Sequence, residues 1–211
     1  MANAEKDRKL TAAEQRRLER FEKISAALTA EGYEKIELTV GIVKANVFAV
    51  AFAVPLCAAA VILFFLIHGF GAAGFSLGGP VAFLALFLLL IPVHELIHGA
   101  AWALFAERRF NDIEFGFMRE YLTPYCTCKV PLTKGRYIVG ALSPLVLLGI
   151  APLLWGLFAG SFFWLWIGLA MTIAAGGDIL IVLKVLSYHG GSGETLLFDH
   201  PTEAGCVVFR R

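Results

Sequence analysis

A chain of 211 residues that is 58% hydrophobic and only 17% charged, with a mean hydropathy of +0.73, carries too little charge for an ordinary soluble domain, where about a quarter of residues are charged. Its net charge of +1 supplies no basic face for a phosphate backbone, which excludes nucleic acid as a partner. The composition is that of a mainly α, polytopic membrane protein.

Residues 1–10 are polar and expected to be disordered, and the first forty residues hold no short basic stretch followed by an apolar run, so no cleaved leader is expected. Thr11-Ala12-Ala13-Glu14 has capping-box spacing, and Leu18, Phe21, Ile24 and Leu28 then recur at helical intervals until Gly32. This predicts an N-terminal amphipathic helix within a cytosolic segment, residues 1–35. The helix suits either the inner membrane surface or the protein's own cytosolic face. From Tyr33 to Val43 apolar residues alternate, with Ile36, Leu38, Val40 and Ile42 on one side, which is a short strand signal.

Between Ala45 and Ala106 the one formally charged residue is Glu95. The stretch Gly69–Pro80 divides this region into two helices, 47–68 and 80–105, each long enough to cross a bilayer. A burst of charge follows, and within it Ile113–Phe117 and Tyr121–Val130 alternate well enough to predict a cytosolic β-hairpin within 107–135. Tyr137 to Leu183 contains a single charged residue, Asp178, and Gly160-Ser161 splits it into spans at 137–158 and 162–185. The transmembrane domain so defined runs from 36 to 190, and a short polar cytosolic tail, 191–211, completes the chain. Loops 69–79 and 159–161 hold no Lys or Arg, so all eighteen basic residues lie on one side of four transmembrane helices. The positive-inside rule then puts both termini in the cytoplasm, with the protein in the inner cell membrane.

Inside the second span lies His94-Glu95-Leu96-Ile97-His98, an H-E-x-x-H pattern. Residues four apart share a helix face, so both imidazoles can grip one Zn²⁺ while Glu95 accepts a proton from zinc-activated water. An ionisable side chain in a bilayer costs about 2.5–3.5 kcal/mol on insertion scales, so each needs a reason to be there. Asp178 is the one other carboxylate in the spans. Counted from the outer ends of their helices, the histidines and Asp178 both lie roughly 21–27 Å deep. Asp178 is therefore the candidate third ligand, and the small residues Gly168, Thr172 and Gly176 before it allow close helix packing. The competing reading of Asp178 is a helix-end carboxylate paired with Lys184 or with a hydroxyl.

H-E-x-x-H on one transmembrane helix with Gly177-Asp178 on a later one is similar to the site-2-type intramembrane zinc metalloproteases, although there the aspartate precedes its glycine. From about Ile36 onward the chain more closely resembles a bacterial membrane family of putative zincin peptidases. The residues that carry this resemblance are His94–Gly99, Tyr125-Cys126-Thr127-Cys128-Lys129-Val130-Pro131-Leu132, Gly177-Asp178-Ile179 and Asp199-His200-Pro201-Thr202. The resemblance implies a peptidase fold and a zinc site.

The function expected is zinc-dependent hydrolysis of peptide bonds in membrane or membrane-proximal proteins. His94, His98 and Asp178 are the ligands and Glu95 is the general base. The alternative is a catalytically silent membrane binding or adaptor protein on the same fold. Metal transport would need a polar stepping stone nearer the outer surface, and the spans offer none. A substrate peptide could extend one of the predicted strands, or those strands simply cap the bundle. Pro144 either opens a path for water or is accommodated by its neighbours. The four cysteines are too few and scattered for a disulfide framework. Cys126 and Cys128 with His200 and Cys206 lack the usual zinc-finger spacing, and reduced cytosolic thiols are the simpler reading. Cys57, His68 and His189 receive no role.

Overall fold

The computed structural model describes residues 11–72, 78–118, 123–189 and 193–211, and the side chains of all of these except 42–46. Residues 1–10, 73–77, 119–122 and 190–192 lie outside the described residues. Three helices are long and apolar enough to cross a membrane: Val47–His68, Gly79–Ala103 and Lys134–Ala159. A fourth is added if the pair Phe162–Ala174 and Gly176–Ser187, bent by 51°, counts as one span. The elements containing them are α2 (Ile42–His68), α3 (Gly79–Ala103), α4 (Lys134–Pro144) running through a π-helical turn into α5 (Ala151–Ala159), then α6 (Phe162–Ala174) and α7 (Gly176–Ser187).

The fourth span, expected as one helix, is therefore broken. Ala175 has φ −77° and ψ 5°, outside helical values, and the Gly176-Gly177 pair that follows has the lowest helix propensity of ordinary residues. The break lets α7 start afresh, with Asp178 in its first turn. The small-residue stripe expected to pack closely does so against two different neighbours. A Cβ at Gly168 would lie 2.3 Å from the Leu153 backbone of α5, and one at Gly176 would lie 2.5 Å from Ala49 of α2. The α5–α6 turn closes on Gly160, whose φ of +67° is left-handed and open to glycine at no steric cost.

On the other side of the bundle, α1 (Ala12–Ala30) begins at Thr11 with the complete capping box. Its apolar stripe is spent on the protein itself: Phe21 is buried among Tyr33, Phe198, Val207 and Phe209. Arg17 stacks over Tyr125 and Arg20 pairs with Glu114 at 2.7 Å. The hairpin β2 (Ile113–Met118) and β3 (Thr123–Cys128) pairs antiparallel, Ile113 opposite Cys128 and Met118 opposite Thr123.

The segment expected as a polar tail is instead the centre of a sheet. β5 (Thr195–Asp199) and β6 (Gly205–Arg210) combine with β1 (Glu34–Thr39) and β4 (Leu132–Thr133) in the order β1-β6-β5-β4. Cys206 to Phe209 are fully buried. One face of this sheet continues into the bundle core, where Val208 and Leu197 meet Trp102, Ala106, Tyr137, Val182 and Val185. The sheet is thus fixed to the helix ends that carry the site.

Candidate metal centre

His94 and His98 lie one turn apart on α3, both buried, and α7 brings Asp178 to them. Three atoms converge: His94 Nε2 is 3.1 Å from His98 Nε2 and 3.2 Å from Asp178 Oδ2, and His98 Nε2 is 3.5 Å from the same oxygen. These are the residues the sequence singled out, and among the described residues they form the one group of three or more metal-binding side chains whose donor atoms lie this close together. The competing partner for Asp178 is engaged elsewhere, since Lys184 Nζ donates to the Thr39 carbonyl at 2.6 Å.

The donor set fits a zinc ion. With bonds of about 2.0–2.1 Å, the ligand atoms of a tetrahedral site stand about 3.3 Å apart, and the three observed separations bracket that value. Hydrogen bonding points the same way. His98 Nδ1 lies 2.9 Å from the Gly140 carbonyl oxygen, which can only accept, so the proton sits on Nδ1 and the Nε2 lone pair faces the site. Asp178 presents a carboxylate oxygen to that lone pair. Two acceptors at 3.5 Å call for a cation or a shared proton between them. On the far side of its ring, the buried His94 Nδ1 has no hydrogen-bond partner among the described residues.

Further residues form the wall behind the histidines. Trp102, one turn beyond His98, stacks on its ring at 5.3 Å, stacks on Tyr137 at 5.7 Å, and donates its indole N–H to the Tyr137 carbonyl. Tyr137 in turn donates its hydroxyl to Asp199 at 2.7 Å, and Asp199 also accepts from the Cys128 amide. Sequence reasoning passed over Trp102, Tyr137 and Asp199 as site residues. Two signals pointed to them: Trp102 falls at i+4 from His98, and Asp199 opens the Asp-His-Pro-Thr motif. On the opposite side of α3, Gly99 makes room for Phe115, whose ring would meet a Cβ there at 2.5 Å. Glu95 is half-buried and accepts from the backbone amide of Cys126 in β3.

The cysteines take no part. Burial pushes the Cys128 thiol up to about 11 and the Cys206 thiol up to about 12, and pushes Cys126 up as well. All four are free thiols, and the only metal-binding group among the described residues leaves them out. Burial likewise raises Asp199 and lowers His200 from their ordinary values. His68 bonds the Leu157 carbonyl at the far end of α2, and exposed His189 bonds the Ser187 carbonyl.

Two histidines on one helix turn, a glutamate adjoining the first, and a carboxylate arriving from another helix are the residue types and spacing of a zincin-type metal centre, set here among helices apolar enough to cross a membrane. The chain belongs to the family described as "putative zincin peptidase", whose model matches residues 87–192. That span takes in the H-E-x-x-H helix, the hairpin and Asp178. No curated protein and no solved structure matches the chain.

Proposed function

We propose that this protein is a membrane-embedded zinc endopeptidase, with His94, His98 and Asp178 as metal ligands and Glu95 as general base, acting on membrane or membrane-proximal polypeptides. The observation that carries the reading is the triangle of donor atoms at 3.1, 3.2 and 3.5 Å. Zinc bound there would supply the Lewis acidity that activates water and polarises a peptide carbonyl.

The chain's own residues divide the remaining work. Gly140 holds His98 in the tautomer that aims its lone pair inward, and Trp102 keeps the ring from turning. Asp178 contributes negative charge from the first turn of α7, where the helix dipole favours a carboxylate. Glu95 Oε takes the proton of the attacking water and delivers it to the departing amine nitrogen, the role of the glutamate in this pattern. Its contact with Cys126 ties it to β3, a strand along which an extended peptide could be presented.

Four crossings with both chain ends on the cytoplasmic side of the inner membrane complete the proposal. They divide the chain as cytosolic helix 1–35, transmembrane domain 36–190 and a C-terminal segment 191–211. Antiparallel pairing of β1 with β6 puts the two ends in one sheet, which supports a common side.

The test is metal analysis and turnover of the purified protein. Wild type is expected to hold one zinc, Asp178→Ala to lose it, and Glu95→Gln to keep it while losing cleavage of an unfolded membrane-protein substrate. Equal zinc in wild type and Asp178→Ala would remove Asp178 from the site. Zinc without cleavage in wild type, across substrates, would favour the adaptor reading.

A further inference from the structure

Pro144 has helical backbone angles, φ −65° and ψ −38°, so the helix passes through it. Its ring nitrogen has no proton to give to the carbonyl four residues back, and the ring pushes that carbonyl off the helix axis. The carbonyl belongs to Gly140. A backbone oxygen freed in this way inside a membrane bundle must find another donor, and this one receives His98 Nδ1–H at 2.9 Å, in a buried bond.

Other disturbances gather at the same turn. Ser143 Oγ donates to the Val139 carbonyl at 2.6 Å, a back-bond that bends helices. Immediately after Pro144 the helix widens to a π-turn over Leu145–Ile150, ending with the Ala151 amide bonded five residues back to Val146. Turns of this kind are frequent at functional sites. Gly140 itself has no Cβ, and its place is filled by the Trp102 indole that stacks on His98. Pro144 is fully buried and lies one turn beyond Gly140 on the helix face turned toward His98, while Val139, Val146 and Leu147 on the other face are exposed.

We infer that Pro144 is a positioning residue of the metal centre: by withholding a helix proton from Gly140, it turns that carbonyl into the acceptor that fixes the tautomer and angle of His98. This rests on the metal reading of His94, His98 and Asp178. An alanine at 144 fits the same backbone angles but supplies the missing N–H. The Gly140 carbonyl then returns to its own helix, and His98 loses the bond that keeps Nε2 deprotonated toward the site.

The experiment uses the full chain in detergent micelles, with zinc affinity measured by competition against a chromophoric chelator. Removing such an outer partner of a metal-bound histidine typically costs 10- to 100-fold in affinity, so Pro144→Ala is expected to weaken zinc binding about tenfold or more. Pro55→Ala, a mid-helix change on the exposed face of α2, is expected to leave affinity unchanged. The second readout is imidazole ¹⁵N resonance on histidine-labelled protein, with His98 assigned by the signal lost in His98→Ala. Wild type is expected to show a protonated Nδ1 at His98, and Pro144→Ala to lose or shift it. Equal zinc affinity in Pro144→Ala and wild type would overturn the inference while leaving the zinc site intact. So would an unprotonated His98 Nδ1 in wild type, a measurement that stands even if the variant does not fold. Failure of wild type to bind zinc at all would instead strike the functional reading.

Discussion

Gly140→Ala isolates the packing behind the histidines from the chemistry in front of them. A Cβ at this position would sit 2.0 Å from both Cδ1 and Nε1 of Trp102 and 2.7 Å from Cε2, whereas ordinary contact begins at 3.4 Å. The indole must therefore retreat by about 1.4 Å, the difference between 3.4 and 2.0. It has nowhere easy to go, being 4% exposed and held between the rings of His98 and Tyr137. Overpacking of this kind costs about 1–3 kcal/mol, and loss of the Trp102 bond to the Tyr137 carbonyl adds about 1 kcal/mol. For a chain of this length, a total of about 2–4 kcal/mol corresponds to a fall in melting temperature of roughly 4–16 °C. Thermal unfolding of the purified protein in detergent measures it. The same substitution in a Trp102→Leu background should cost under about 1 kcal/mol, because the opposing ring is gone. A variant melting within a degree of wild type, or losing as much in both backgrounds, would refute the reasoning.

Two further outcomes follow from the structure. Gly168→Ala drives its Cβ to 2.3 Å from the backbone nitrogen and 2.6 Å from the Cα of Leu153; backbone cannot swing aside, so this variant is expected to lose more stability than Gly140→Ala in the same melt. His200 accepts the Glu203 amide at Nδ1 at 2.9 Å and burial lowers its affinity for a proton. A base depressed in the folded state contributes stability above its unfolded value, near 6.5, and loses it as the pH falls through the lower folded value. Denaturant midpoints should therefore drop on acidification below about pH 6.5, and His200→Asn, which keeps an acceptor at the Nδ1 position, should show a smaller drop. Parallel pH curves for the two proteins would count against this role.

Much of the site was legible in the sequence because charge is rare in the long apolar helices. Glu95 and Asp178 stand out in spans that contain no other acid, and rise per residue alone brings Asp178 level with the histidines. The capping box at Thr11 and the alternation in β1 and β2 were equally plain, since each depends on neighbours in the chain. The sheet's central strands were harder to see. Cys206-Val207-Val208-Phe209 is a continuous apolar run after Gly205 without alternation, because both of its faces are buried. Such a run resembles a strand core only once partners are known. The break at Ala175 was hidden for a related reason. Hydropathy stays high across it, and two adjacent glycines in an apolar helix serve close packing as readily as a bend. The Gly140 carbonyl could not be found by inspecting side chains, since it is backbone freed by a proline four residues later.

The bend at Ala175 also divides the centre mechanically. The two imidazoles ride on α3, braced by α4 and the hairpin, while the carboxylate rides on a separate short arm. That arm is anchored to α2 where Gly176 meets Ala49, and to the first strand of the sheet, through the Lys184 ammonium on the Thr39 carbonyl and through the apolar cluster that Val182 and Val185 share with Ile36 and Leu38. Movement of that strand is therefore coupled to Asp178 through this arm.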